Sequence, residues 1–79
     1  MSILKQQRAL RVQGEAAEME RSGAFNVAAR LWRQAAAIRE ALGFGGATGI
    51  KNQREKNYCS ARYKICASRA ELMGGCDDD

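Results

Sequence analysis

The sequence of 79 residues contains no histidine and no proline, and it has three cysteines and one tryptophan. Because histidine and any Cys-x-x-Cys pair are missing, we expect no zinc site. No pair of carboxylates and no nucleophile–base set replaces the histidine, so we expect no catalytic residues, no cofactor and no enzymatic activity. The lack of proline, together with few β-branched residues, favours helices.

Long hydrophobic runs are also missing. No stretch approaches the roughly 18 apolar residues that a transmembrane helix needs, and the first residues lack the apolar core of a signal peptide. We therefore predict a cytoplasmic protein without membrane contact. We assign residues 1–75 to a single helical domain and residues 76–79 to a disordered acidic tail. A core this small is marginal, and a protein partner or a second copy would help to stabilise it.

The pattern of apolar residues predicts three helices, at residues 3–22, 25–42 and 52–73, and no strand. The third helix can extend back to residue 48, where Thr48 is a candidate N-cap. Gly23 separates the first two, because glycine adopts positive φ at the end of a helix without a steric clash. The glycine-rich segment 43–46 separates the second helix from the third. So short a break at Gly23 predicts that the first two helices form an antiparallel hairpin.

The expected core lies where this hairpin meets the third helix. Apolar residues of the second helix recur at the spacing of one helical face. Small alanines let a neighbouring helix approach closely, and the single tryptophan, Trp32, supplies bulk; the alternative is that Trp32 anchors an interface. The predicted core residues are Ala16, Phe25, Ala28, Leu31, Trp32 and Ala35.

Charged side chains are expected on the outer faces of the first two helices. In the first helix, apolar residues repeat every seven positions at Ile3, Leu10 and Ala17. This repeat places the glutamates, including Glu20, on the outside. In the second helix the arginines, including Arg39, mark the face that points away from the core.

The third helix presents two adjacent apolar stripes, which is more apolar surface than the covering of one hairpin requires. One stripe consists of Tyr58, Ala61, Ile65 and Leu72, and the other of Cys59, Cys66 and Met73. Either stripe can cover the hairpin, and the remaining one would form an exposed apolar patch. A two-fold pairing with a second copy would bury such a patch, and so would a helix of a target protein.

The candidate binding residues lie on this third helix. Arg62 and Arg69 share a face with the tyrosine stripe, which predicts either a solvated rim or an arginine–aromatic patch that docks an acidic or apolar partner. Cys59 and Cys66 are interpreted as small buried hydrophobes, with an interface position as the alternative for Cys66. The residues predicted to bind a partner or to mediate self-association are Tyr58, Arg62, Ile65, Cys66, Arg69 and Leu72.

The net charge of +4 is unevenly distributed, since residues 47–64 carry five basic side chains and one acidic one. The basic residues of this segment are Lys51, Arg54, Lys56, Arg62 and Lys64. Such a segment can meet nucleic acid or an acidic protein surface. No recognition helix stands out, because the first two helices form a tight hairpin rather than a helix-turn-helix crossing. We therefore expect nucleic-acid binding to be weak and unspecific at most.

The hairpin resembles a single tetratricopeptide unit. That repeat's spacing of glycine, aromatic, small, aromatic and small residues is matched by Gly23, Phe25, Ala28, Trp32 and Ala35. Ala16 and Ala17 match small positions of its first helix, whereas Glu40 stands where the repeat has a closing proline. Because the chain holds no second copy and stacked repeats need neighbours, the resemblance implies the geometry of the hairpin and not a peptide-binding superhelix.

A wider pattern covers residues 15–69. It runs through Ala16, Glu18, Gly23 and Phe25, then Ala28, Ala29, Trp32 and Ala35, and finally Asn57, Tyr58, Cys59, Arg62 and Cys66. In this pattern the chain resembles the ANR family, the AraC negative regulators. It departs from the family in the 43–53 connection, which is longer and richer in glycine, and in Tyr58, which directly follows Asn57.

The resemblance implies a regulatory function. ANR proteins bind AraC-type transcription activators and prevent them from dimerising or occupying DNA; they are small, cytoplasmic, bacterial or phage-borne, and usually self-associate. We therefore predict a small regulator with an AraC-type protein partner and a homo-oligomeric state. Two alternatives are a phage or mobile-element inhibitor of a host complex, similar to an anti-CRISPR protein, and a small basic DNA-binding regulator.

Overall fold

The computed structural model describes residues 2–46 and 49–72, which form three α-helices. These are α1, Ser2–Arg21, α2, Phe25–Leu42, and α3, Gly49–Leu72. The described residues contain no strand, so the all-α prediction is confirmed, whereas the likeness to a tetratricopeptide unit stays a prediction. Met73 and the predicted tail at 76–79 lie outside the described residues. None of the three helices has a stretch long and apolar enough to cross a membrane.

The first two helices run antiparallel, as the hydrogen bonds between them show. Gln13 of α1 bonds to Arg39 of α2, and Glu20 of α1 bonds to Trp32 of α2. Seven residues forward along α1 therefore correspond to seven residues backward along α2. Seven residues rise about 10.5 Å, or two helical turns, so the two bonds mark two layers of the hairpin.

The third helix runs parallel to the first. Gln13 bonds to Glu55, and Glu20 pairs with Arg62, so seven residues forward along α1 match seven residues forward along α3. α2 packs against both of the other helices. In both layers, therefore, a side chain of α1 bridges α2 and α3.

Two glycines set positions at which helices end and begin. Gly23 has a φ of 87°, a conformation that glycine adopts without strain, and it separates α1 from α2 as predicted. α3 begins at Gly49, within the predicted range of 48 to 52 for its start, and the candidate cap Thr48 lies outside the described residues. A Cβ at Gly49 would overlap the carbonyl oxygen of Phe44, so only a glycine permits this close approach.

The core consists of small side chains around one large one. Ala16, Ala28 and Ala35 are fully buried, and Trp32 is 2% exposed. The other predicted core residues, Phe25 and Leu31, are partly buried and pack against this cluster.

Trp32 lies between α1 and α3. Its indole N–H bonds to Glu20 of α1, and its ring meets the ring of Tyr58 of α3 edge to face, with the centroids 5.5 Å apart. Because alanines leave little bulk elsewhere in the core, this side chain supplies much of the contact that joins the three helices.

Three expectations about the outer faces are wrong. Leu10 is 58% exposed, because the buried line of α1 contains Ala9 and Ala16 instead. Glu20 is only partly exposed, and Arg39 is buried. Both point inward because each finds a hydrogen-bonding partner on another helix, and the periodicity of a single helix contains no information about such partners.

Candidate protein-interaction site

One polar cluster lies near the connection between α2 and α3, and we call it the loop-end cluster: Gln13, Arg39, Asn52 and Glu55. Gln13 is its bridge, because its side-chain amide accepts a hydrogen bond from Arg39 Nε at 3.1 Å and donates one to Glu55 at 3.0 Å. Arg39 is 6% exposed, and its Nη1 lies 3.4 Å from the side-chain oxygen of Asn52. A buried guanidinium is costly unless its N–H groups find acceptors, so these bonds hold Arg39 in the interior.

Asn52 closes this cluster against the end of α2. Its side-chain nitrogen donates to the carbonyl oxygens of Arg39 and Gly43, at 2.7 and 2.6 Å. The last carbonyls of a helix have no partner within that helix, so α3 supplies the donor that α2 lacks. The polar groups of the loop-end cluster therefore satisfy one another.

A second polar cluster lies two turns away, next to the turn at Gly23, and we call it the elbow-end cluster: Glu20, Trp32 and Arg62. Glu20 is its bridge, because one carboxylate oxygen accepts hydrogen bonds from Trp32 Nε1 at 3.0 Å and from Arg62 Nε at 3.3 Å. Glu20 and Arg62 also form an ion pair. In each helix the residues that contribute to the two clusters are seven positions apart. The bridging side chain of α1 is the uncharged Gln13 at the loop end and the negatively charged Glu20 at the elbow end.

A third layer follows two turns further on, and α1 takes no part in it. Phe25 lies seven residues before Trp32 in α2, and Arg69 lies seven residues after Arg62 in α3. The guanidinium of Arg69 is 5.6 Å from the centre of the Phe25 ring, a cation–π contact. α1 has ended at Arg21, six residues before the position that would bridge this layer.

The space at this end of the molecule is an open cleft of about 370 Å³, which we call the elbow cleft. Its lining residues are Ala17, Glu20, Arg21, Phe25, Trp32, Tyr58, Arg62 and Arg69. Within the described residues, neither Arg21 nor Arg69 forms an ion pair, so these two arginines make the cleft positive. Aromatic rings and arginines are enriched at the energetic centres of protein interfaces.

The exposed apolar side chains of α3 continue the cleft along the helix. Tyr58, Ile65 and Leu72 are 53, 39 and 84% exposed and are spaced by seven residues; we call them the outer strip. A shallow groove of about 560 Å³ runs beside Ile65, Arg69 and Leu72. Because Arg69 borders both this groove and the elbow cleft, the strip and the cleft form one continuous surface.

The structure brings together five of the six binding residues predicted from the sequence. Those five are Tyr58, Arg62, Ile65, Arg69 and Leu72. The sixth, Cys66, is fully buried together with Cys59. The stripe that covers the hairpin is therefore the cysteine stripe, since small thiols fit closely against a surface of alanines, and the tyrosine stripe faces outward.

Sequence reasoning missed three contributors to this site: Glu20, Arg21 and Phe25. Glu20 was placed outside and Phe25 in the core, and Arg21 was given no role. One signal could have found Glu20, namely that each helix has two polar positions seven residues apart, such as Gln13 and Glu20 in α1. These pairs predict a contact between helices only when the register between the helices is known.

The two buried cysteines have no reactive character. Burial raises the pKa of the Cys59 thiol to about 11, and the nearby Glu55 carboxylate adds to this effect. Burial also raises the pKa of Cys66, where the charges of Arg62 and Arg69 act in the opposite direction. Both thiols are therefore protonated at neutral pH. In the part of the chain that the structure describes, no group of three or more acidic or cysteine side chains could hold a metal ion.

The basic residues predicted to meet nucleic acid do not share one face. Lys51, Arg54 and Lys64 are exposed, whereas Lys56 is half-buried and Arg62 is ion-paired. Lys56 and Lys64 border a groove between α2 and α3, and Lys64 also borders the groove beside the outer strip. A basic surface divided in this way offers no continuous track for a phosphate backbone, and weak binding of nucleic acid stays a prediction.

Comparison of the chain with protein-family models, with curated proteins and with solved structures finds no match. The resemblance to AraC negative regulators therefore rests on the residues quoted above and stays a prediction.

Proposed function

We propose that this protein is a small, non-enzymatic, cytoplasmic regulator that inhibits a partner protein by occupying a surface that the partner needs. The observation that carries the proposal is the continuous surface formed by the outer strip and the elbow cleft. Soluble monomers rarely expose contiguous apolar patches without a binding function. Here three large apolar side chains of α3 lie beside arginines and aromatic rings contributed by all three helices.

An AraC-type transcription activator is the proposed partner. Support comes from the resemblance of residues 15–69 to the AraC negative regulators. Its more discriminating part is the segment with Asn57, Tyr58, Cys59, Arg62 and Cys66. In this segment Tyr58 belongs to the outer strip, whereas Cys59 belongs to the core. The same short segment thus serves the fold and the surface. A mobile-element inhibitor of another host complex would use this surface in the same way.

The expected energetics of binding follow from the side chains involved. Complete burial of Leu72, which is 84% exposed, contributes about 1.5–3 kcal/mol, and burial of the remaining 39% of Ile65 contributes a smaller amount; a small number of such anchoring residues is typical of an interface. The free arginines of the cleft contribute mainly to association rate and specificity. Truncation of one apolar anchor should therefore weaken inhibition much more than the loss of any distant surface residue.

A reporter assay tests this function directly. The protein is co-expressed with an AraC-type activator and a reporter driven by its promoter, and we expect the reporter signal to fall. Ile65→Asp should restore the signal because it places a charge in the interface. Val27→Asp is the matched control, since Val27 is equally exposed, at 39%, but lies on α2 away from the strip. An unchanged reporter signal with wild-type protein would reject an AraC-type partner.

The predicted homodimer would bury the same strip through a two-fold pairing, so a second copy and the partner would compete for it. Sedimentation velocity at micromolar concentration measures this directly. Retention on DNA as a function of salt tests the nucleic-acid alternative, which predicts a steep loss of affinity as salt increases.

A further inference from the structure

The first two layers of the molecule share one arrangement of side chains, and the third layer has only part of it. In the first two layers a polar side chain of α1, Gln13 or Glu20, bridges α2 and α3. In the third layer Phe25 and Arg69 face each other, and α1 has already ended. We propose that an acidic amphipathic helix of the partner protein lies along the outer strip and supplies this missing bridge with a carboxylate. The inference rests on the proposed function and specifies the chemistry of the partner.

The charges beside the third layer, next to Phe25 and Arg69, favour a carboxylate from the partner. Arg69 and Arg21 line the elbow cleft, and within the described residues neither forms an ion pair. The carboxylate of Glu20 is already engaged by Arg62 and Trp32. A carboxylate from outside would meet Arg69 much as Glu20 meets Arg62, and charge-assisted bonds of this kind are the stronger class of hydrogen bond.

The shape of the surface favours a helix as the segment that carries this carboxylate. The outer strip is straight, because its members are seven residues apart on α3, and it extends over roughly 21 Å. Apolar side chains that repeat every seven residues on a partner helix would meet the same spacing. The groove beside Ile65 and Leu72 is shallow and open, as required for side-by-side packing of a helix.

A second copy of this chain is a poorer occupant of the same strip. Between positions 58 and 72 the sequence contains three basic residues, Arg62, Lys64 and Arg69, and one acidic residue, Glu71. Pairing α3 with itself would bring the basic residues of both copies into one seam, and like charges at close range are destabilising. An acidic helix removes this repulsion.

The test uses the full chain and three synthetic helical peptides of 21 residues. Each peptide is alanine-based with a leucine at every seventh position, and the flanking positions are glutamate, glutamine or lysine. Fluorescence anisotropy of labelled peptide gives the affinity at low and high salt. We expect the glutamate peptide to bind at least tenfold more tightly than the lysine peptide at low salt, with the glutamine peptide between them. The difference should shrink at high salt because of screening.

Charge reversal identifies the residue responsible. Arg69→Glu should remove the preference for the glutamate peptide and favour the lysine peptide, whereas Arg30→Glu should not, although it changes the net charge equally from an exposed position on α2. Ile65→Asp should weaken binding of all three peptides, and Val27→Asp should weaken none. Circular dichroism confirms that the variants remain folded.

Several outcomes overturn the inference. Equal affinity for the three peptides, or a preference unaffected by Arg69→Glu, would exclude a carboxylate at the third layer. No peptide binding combined with a dimer that Ile65→Asp dissociates would identify a second copy as the occupant.

If Ile65→Asp restores the reporter signal but Arg69→Glu does not, the proposed function stands and the acidic partner is wrong. A charge-dependent peptide affinity without reporter inhibition would retain this surface and reject the AraC-type partner.

Discussion

The loop-end and elbow-end clusters occupy equivalent places in the fold, yet they differ in the layer that follows them. At the loop end, Asn52 donates to the carbonyl oxygens of Arg39 and Gly43, Gln13 accepts from Arg39, and a cleft of about 270 Å³ lies beside the cluster. At the elbow end, Glu20 accepts from Trp32 and Arg62, but the layer beyond it has no contribution from α1. The difference arises from helix length, because α3 continues past the end of α1, and it leaves Phe25 and Arg69 at the elbow end for a partner to meet.

The two buried thiols lie near different charged groups. Burial raises the pKa of both thiols. At Cys59 the Glu55 carboxylate adds to this effect and Arg39 opposes it, whereas at Cys66 both neighbouring charges, those of Arg62 and Arg69, oppose it. Arg62 and Arg69 also line the elbow cleft, where the proposed acidic partner binds.

The largest expected effect is the loss of the side chain that joins the helices at the elbow end. Trp32→Ala removes the bulk of the core and should lower the free energy of unfolding by about 3–5 kcal/mol, which we expect to be enough to unfold so small a chain. Trp32→Phe keeps one aromatic ring and loses the bond to Glu20 and part of the buried volume, so its effect should be smaller. Thermal unfolding followed by circular dichroism measures both, and a nearly unchanged melting temperature for Trp32→Ala would contradict the observed burial.

The loop-end cluster should also be sensitive to the loss of its cap. Asn52→Ala leaves the carbonyl oxygens of Arg39 and Gly43 and one Arg39 N–H without this partner, and unsatisfied buried groups cost about 1–3 kcal/mol each. We expect a loss of about 3 kcal/mol in the free energy of unfolding, measured by urea denaturation. Asn57→Ala, at an exposed position of the same helix, is the control and should change stability by less than about 0.5 kcal/mol.

A smaller effect should depend on pH. The pKa of Cys59 is about 11 in the folded protein, above its ordinary value of 9.0. The unfolded chain therefore releases this proton first, and stability that is complete below pH 9 should be lost as the pH rises toward 11. The difference corresponds to roughly 2–3 kcal/mol. Urea denaturation at several alkaline pH values should show a shallower decline for Cys59→Ala than for the wild type, and parallel declines would count against this assignment.

The sequence predicted the helices well because helix formation depends on local patterns. The boundaries at Gly23 and at residue 42 agree with the structure, since glycine ends a helix through its own backbone freedom. The apolar pattern leaves the start of α3 between residues 48 and 52, because Gly49 is required by a contact with Phe44, which lies outside the apolar pattern that defines the helix. The strip residues were identified as a group because they share one helical face, but their exposure was left open.

By itself, the sequence determined that the chain forms three helices, that alanines and thiols are available for close packing, and that the helix with two apolar stripes has one more than the hairpin can cover. Only the tertiary structure decided which stripe is buried and which charged residues turn inward. The physical reason is that periodicity records the faces of one helix, whereas Glu20, Arg39 and Arg62 find their partners through the register between helices. That register is fixed by packing around Trp32 and the small residues of the core, which no single segment encodes.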